Sequence, residues 1–443
     1  MKGDIIKGSI AGSLVAFTIP LILSGLFQQI FNWVDAFIVG NIKGEAALAA
    51  IGAATPVYHL FVAVITGFTS GISVLTAQQY GMGEQNTIRQ ILSSFTIVLG
   101  GVFLLIAVLG SMMTGAILKV LETPPDIFIT AKDYMQLLFF GIPFLAVYNM
   151  YAAVLRGLGD SRVSFWAVLT ASCANAVLDL ILVFPLGAKG AAIATAATQG
   201  FMAVFVILYA VKKYPVLRFR IKRSSVWRIM LLQGCKFGLP PAVQSATSSV
   251  GNLALQRFMN GFGEQTVAAI TTAYRVDSVI ILPMVNFGSG IATVAAQNIG
   301  AGNEIRAKQT LKIGAGMIAL ISLGLTGFVI WAGGPMIAIF GLQEESILIG
   351  RTFFRTIASC YIVFSLAMSV RGYLEGAGDL LFTGIVGILA LGVRVAVSYM
   401  FAERFGNMVI GYAEAFSWTF MLIVYIFRFF ARTRKSSRER DKV

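Results

Sequence analysis

From Ala46 to Gly83 the chain carries no Asp, Glu, Lys or Arg, and comparable apolar runs recur along all 443 residues. A bilayer core about 30 Å thick is crossed by roughly 20 apolar residues in a helix. Such runs predict membrane helices near 12–40, 48–80, 88–118, 130–156, 162–186 and 190–211. A second set is predicted near 234–259, 266–299, 308–339, 348–375, 380–402 and 407–430. Composition agrees: 57% of residues are hydrophobic and 12% are charged, against about 25% charged in soluble domains. So few charges could not cover a soluble surface. The expected fold class is an all-α polytopic membrane protein of twelve transmembrane helices.

The charges that remain set an orientation. Net charge is +14, which in a soluble chain would suggest nucleic acid. Here the basic residues sit in short loops and near the C-terminus, where they control topology and meet anionic headgroups. Nucleic acid is not expected as a partner. With Lys2 and Lys7 inside, the inside loops also carry Arg89, Arg156, Arg162, Arg306, Lys308, Lys312 and Arg371. The outside loops hold only Lys43, Lys119, Lys189 and Arg404. Both termini are therefore expected in the cytoplasm, with the chain in the cell membrane. The first apolar run continues to about Gly40 without a cleavage site and is expected to stay as the first membrane helix. Cys173, Cys235 and Cys360 are far apart and form neither a metal-ligand spacing nor a disulfide framework.

The sequence repeats itself. Residues 71–83 read GISVLTAQQYGMG and residues 290–302 read GIATVAAQNIGAG. Residues 156–160 read RGLGD and 375–379 read EGAGD, at the same shift of 219. Pro20 and Pro240 differ by 220. Six helices separate the copies, so the repeats are parallel, about an axis along the membrane normal. The expected organisation is an N-lobe at 1–211, a basic cytoplasmic linker at 212–228, a C-lobe at 229–431 and a basic tail at 432–443. Two-lobed repeats of this kind suit alternating access around a central cavity.

Carboxylates inside membrane helices are costly and mark function by default. Asp35 lies on the first predicted helix, in a polar stripe with Gln28, Gln29 and Asn32. Gln28 and Asp35, seven apart, face the same way. Gln28 and Asn32 are candidates for a substrate cavity. Pro20, on the same helix, removes a backbone hydrogen bond and favours bending. On the fifth helix Asn175 and Asp179 are one turn apart on one face. The sixth helix adds Thr195, and the fourth offers Tyr134 and Asn149. No Lys or Arg lies deep in these six helices to neutralise Asp35 or Asp179. Such carboxyls are expected to carry a proton part of the time or to hold Na⁺, which makes them coupling sites. No further cofactor is expected.

The second lobe is different in charge. Arg275 and Asp277 lie on the eighth helix in AYRVDS, Arg394 on the eleventh and Glu414 on the twelfth. At the shift of 219, Arg394 falls opposite Asn175 and Glu414 opposite Thr195. These two are expected to form an internal ion pair that fills structurally what the first lobe leaves as a site. Function and structure are equal readings for Arg275 and Asp277. His59, the single histidine, could relay protons, though packing is the more usual role of a lone histidine on an apolar helix. No Walker A sequence is present, so ATP-driven transport by this chain is not expected, and no catalytic constellation marks an enzyme.

The chain resembles the multidrug and toxic compound extrusion family, prokaryotic type, over nearly its whole length. The resemblance rests on Pro20, Gln28 and Asp35 in the first helix and Asn175 with Asp179 in the fifth. GAAIAT with Thr195 and the paired AQQYGMG and AQNIGAG segments add to it. It implies an antiporter exporting organic, often cationic, compounds against H⁺ or Na⁺. The implied coupling site consists of Asp35, Tyr134, Asn149, Asn175, Asp179 and Thr195, with Pro20 as the helix-bending residue. Some members have a further acidic site on helices 7 and 10. Here helix 7 offers Gln244 and Asn252, and helix 10 has no deep carboxylate. Related flippases for lipid-linked sugars share the fold class and are the alternative; a channel or membrane sensor is a more distant one. A flippase needs several cavity cations for pyrophosphate, whereas the first lobe here is acidic. Small-molecule substrates, lipid and a monomeric state are expected.

Overall fold

A computed structural model describes residues 4–219 and 226–440, and among them all regular structure is helical. Lys2, residues 220–225 of the expected linker and the last three residues of the tail lie outside the described residues. The first elements are α1 (Asp4–Lys7), α2 (Ile10–Gly81), α3 (Gln85–Val120), α4 (Pro125–Gly157), α5 (Arg162–Leu186) and α6 (Ala188–Lys213). After a short 3₁₀ turn at Pro215–Leu217 come α7 (Val226–Asn260), α8 (Glu264–Ile280), α9 (Leu282–Gly300) and α10 (Glu304–Ala338). The chain closes with α11 (Glu344–Ala358), α12 (Tyr361–Gly376), α13 (Leu380–Met400), α14 (Ala402–Phe405) and α15 (Val409–Arg440).

Twelve spans follow from how these helices break. A straight helix of the 72 residues in α2 would be about 108 Å long, more than three bilayer cores. Its backbone leaves helical geometry at Gly44, with φ 78° and ψ −172°. Only glycine reaches that conformation without steric cost, and the two halves of α2 become the first two spans. Nine helices among the described residues are long and apolar enough to cross a membrane, and ten if α11 and α12, bent by 45°, form one span. Dividing α2 gives eleven. α7 is the twelfth; its run of Gln, Ser, Thr and Asn from Gln244 to Asn252 dilutes its apolarity.

The faces sort as a bilayer requires. On α3, Ile88, Ile91, Leu92, Phe95, Leu99 and Phe103 recur at helical spacing and are buried. Leu104, Leu105, Leu109 and Met112 are exposed, as lipid-facing residues are. α4 packs on α3 and α6, and α12 on α9, α10 and α15.

The chain forms two compact units. The N-unit is Ile19–Ala242; the C-unit joins residues up to Thr18 with those from Val243 onward. Each unit thus takes the first half of a helix that continues in the other, and the crossing points lie beside Pro20 and beside Pro240–Pro241. They fall inside helices, not in the basic linker. The start of the chain is held in the C-unit by Arg306, whose guanidinium donates to the carbonyls of Ile5 and Gly8. Arg89 holds the linker in the N-unit through the Val216 carbonyl at 2.7 Å.

The repeat is visible in packing. A Cβ on Gly157 would lie 2.6 Å from Cβ of Thr76 and 2.8 Å from the Ser73 carbonyl oxygen. A Cβ on Gly376 would lie 2.6 Å from the Ala292 carbonyl oxygen and 3.1 Å from Cβ of Ala295. These positions correspond at the shift of 219, and both crossings need glycine for close backbone approach. Asp160 accepts from Tyr209 at 2.8 Å, Lys213 at 2.8 Å and Tyr214 at 2.9 Å. Its counterpart Asp379 accepts from Arg428 at 2.6 and 3.1 Å and approaches Arg432 at 3.9 Å. Tyr209 and Arg428, and Lys213 and Arg432, again differ by 219. The RGLGD and EGAGD motifs therefore hold the last helix of each half of the repeat.

Candidate functional site

In the N-unit, Asp35 from α2 and Asp179 from α5 come together: their carboxyl groups hydrogen-bond to one another. An ionised carboxylate only accepts, so a carboxyl–carboxyl hydrogen bond requires a proton on one of the two. The helical turn of α5 places Asn175 beside Asp179. With its amide oriented so that both ends are satisfied, Asn175 donates to Asp179 Oδ2 at 2.6 Å and accepts from the Thr195 backbone N–H at 3.2 Å. α6 is thereby tied to α5 at the site. Asp179 and Asn175 are fully buried, at 0% and 1% exposure, while Asp35 is half-buried. Oδ1 of Asp35 and Oδ1 of Asp179 are each buried without a hydrogen-bond partner. Those two oxygens are free to take a proton or to coordinate a small cation.

Tyr134 on α4 is buried within electrostatic reach of Asp35, Asp179 and Tyr58. Tyr58 is a member the sequence reading missed. Its hydroxyl accepts from Gln199 of α6 at 2.5 Å, and Gly141 of α4 leaves the room for Gln199, whose Oε1 is buried and unpartnered. Asn149 is buried but donates to the Leu145 carbonyl of its own helix at 2.9 Å. Thr195 is half-buried, and Gln28 and Asn32 are exposed on α2. Pro20 sits within continuous helix. His59 is exposed, its ring edge-on to Tyr58 at 6.0 Å.

The C-unit contains a second buried polar cluster. Arg394 of α13 pairs with Glu414 of α15 at 3.1 Å. Tyr274 of α8 donates to the same Glu414 oxygen at 2.8 Å and accepts from Arg394 at 2.6 Å. Arg275 and Asp277 separate, because residues two apart on a helix face different ways. Arg275 is exposed; Asp277 is 4% exposed and accepts from the hydroxyl of Tyr361, the first residue of α12. Gln244 of α7 accepts from Arg371 at 2.9 Å, and Arg371 pairs with Glu375 at 2.6 Å. The buried acids of this cluster therefore come from α8 and α15, not from the seventh and tenth spans, where some members of the resembled family carry a further acidic site.

The model of one protein family, MatE, matches residues 20–181 and 240–400. The chain is 27% identical to the probable multidrug resistance protein YoeA of Bacillus subtilis (strain 168), over 98% of this chain and 96% of that one. It is 28% identical to the probable multidrug resistance protein YpnP of the same organism, with 94% of each covered. It is 23% identical to the multidrug export protein MepA of Staphylococcus haemolyticus (strain JCSC1435), over 90% of this chain and 89% of that one. Among solved structures, an outward-facing multidrug resistance MATE family transporter of the MOP superfamily superposes with a TM-score of 0.90 at 21% identity. The match covers 99% of this chain and 98% of that one. A MATE crystal structure in the bent conformation also gives 0.90, at 20% identity and the same coverage. At that identity the likeness speaks for the fold.

Proposed function

The chain belongs to the MatE family, a family of multidrug efflux transporters and not of enzymes, and we propose that this member is a secondary active antiporter. It exports organic cations in exchange for H⁺ or Na⁺ by alternating access. The observation that carries this reading is the hydrogen bond between the Asp35 and Asp179 carboxyls. A buried acid pair with no Lys or Arg partner is neutral only when it carries protons or a bound cation. Ion and cationic cargo then compete for the same negative charge, and that competition is the coupling.

The relatives' names as multidrug resistance and export proteins support a broad organic cargo. The acidic N-unit interior supports a cationic one. Basic loops support the cell membrane as location, with both termini cytoplasmic. Both halves of the repeat lie in one chain, which supports a monomer.

Sealed vesicles with an imposed pH or Na⁺ gradient test the proposal. A fluorescent organic cation should move against its gradient only while the ion gradient lasts. Flux that ignores both gradients would exclude antiport.

A further inference from the structure

The C-unit cluster contains two buried carboxyls and one guanidinium. Glu414 is matched by Arg394 at 3.1 Å. Asp277 is not: its hydrogen bond comes from Tyr361, and no cation lies within ion-pair distance of it among the described residues. Arg394 directs one terminal nitrogen to both Tyr274 and Glu414, and its Nε is buried without a partner. The groups that face Asp277 are Tyr361 from α12, Glu414 from α15 and Arg394 from α13. α10 and α11 also pack on α8; their Lys308, Lys312, Arg351 and Arg355 are not among its partners. The local sum is one unbalanced negative charge inside a membrane helix bundle, which is costly wherever it is buried.

The internal repeat adds an independent observation. At the shift of 219, Asp277 corresponds to Tyr58, Arg394 to Asn175 and Glu414 to Thr195. All three N-unit counterparts belong to or adjoin the acid-pair site. The C-unit cluster thus occupies the same place in its half of the repeat. Two helix interruptions flank it: α8 ends at Ile280, three residues past Asp277, and α12 begins at Tyr361. Interrupted helices are where membrane transporters build ion sites.

We propose that this cluster is a second proton-binding site, holding one proton shared between Asp277 and Glu414. It goes beyond the antiport proposal, resting with it only on the membrane location, and its test needs no transport. The charge count makes the expectation sharp. With Arg394 in place, two carboxyls need one proton. Removing either acid charge leaves a balanced Arg–carboxylate pair that needs none. Removing the guanidinium leaves two carboxyls that need two.

Infrared difference spectroscopy of the purified, reconstituted full chain reads protonated carboxyl C=O bands as pH is changed. Asp277→Asn and Glu414→Gln should each remove the same band, while Asp35→Asn and Asp179→Asn should leave it. Arg394→Gln should add intensity. In Asp277→Asn, Tyr361 can still donate to the side-chain amide oxygen, so this variant is expected to fold; unchanged helical circular dichroism checks this. Should Arg394→Gln not insert, the two acid variants decide. A carboxyl band set unchanged by both acid variants would overturn the proposal, as would loss of the band when Na⁺ replaces choline at constant pH. Vesicle flux without a gradient, with the band present, would remove the antiport reading and leave this site standing.

Discussion

Asp35 and Asp179 lie on α2 and α5, with two whole helices between them in the chain, yet their carboxyls touch. Asp35→Asn or Asp179→Asn should therefore reduce gradient-driven export to the level of protein-free vesicles. Neither change removes packing volume, so the thermal midpoint should hold or rise as like charge is relieved. Vesicle uptake with parallel thermal unfolding checks both outcomes. Tyr58→Phe is a different kind of change. It removes the acceptor for the Gln199 amide, and a buried donor left unsatisfied costs about 1–3 kcal/mol. The variant should lower the unfolding midpoint. Asp35, Asn175, Asp179 and Thr195 were legible as residue types in membrane helices at helical spacing. Tyr58 and Gln199 were not, because a tyrosine or glutamine on an apolar helix carries no charge penalty to mark it. The internal repeat could have found Tyr58, which aligns with the conspicuous Asp277.

At the scale of elements, glycine and aspartate at corresponding positions set the packing. Gly157→Ala and Gly376→Ala each drive a methyl into the facing helix. Each should destabilise by about 1–3 kcal/mol, the usual cost of overpacking, read as a lower unfolding midpoint in detergent. Asp160→Ala removes one acceptor from three donors. Amide exchange around residues 209–217 should accelerate while α4 stays protected. Helix number and the sites of the GLGD and GAGD turns follow from apolar length and glycine spacing. The breaks at Gly44, Ile281 and Ser359–Cys360 do not, because apolar runs continue through them. At the last break Thr326 of α10 donates to the Ala358 carbonyl at 2.7 Å, so a neighbouring helix satisfies the backbone that the bend exposes.

For the whole molecule, charge distribution predicts orientation. In a background with Cys173, Cys235 and Cys360 replaced, Lys213→Cys should react with a membrane-impermeant thiol reagent only from the cytoplasmic side. Lys189→Cys should react only from outside, and the reverse pattern would invert the topology. Apolar length, basic-loop bias and the 219-residue repeat specify a twelve-helix, two-fold repeated membrane protein, because each is a local or periodic property written along one dimension. The exchange of half-helices between the two units beside Pro20 and Pro240 is not such a property. Nor is the pairing of Asp35 with Asp179, or the separation of Asp277 from Arg275 into a cluster with Tyr361. Those depend on which faces of distant helices meet, and close packing of side chains in three dimensions settles that.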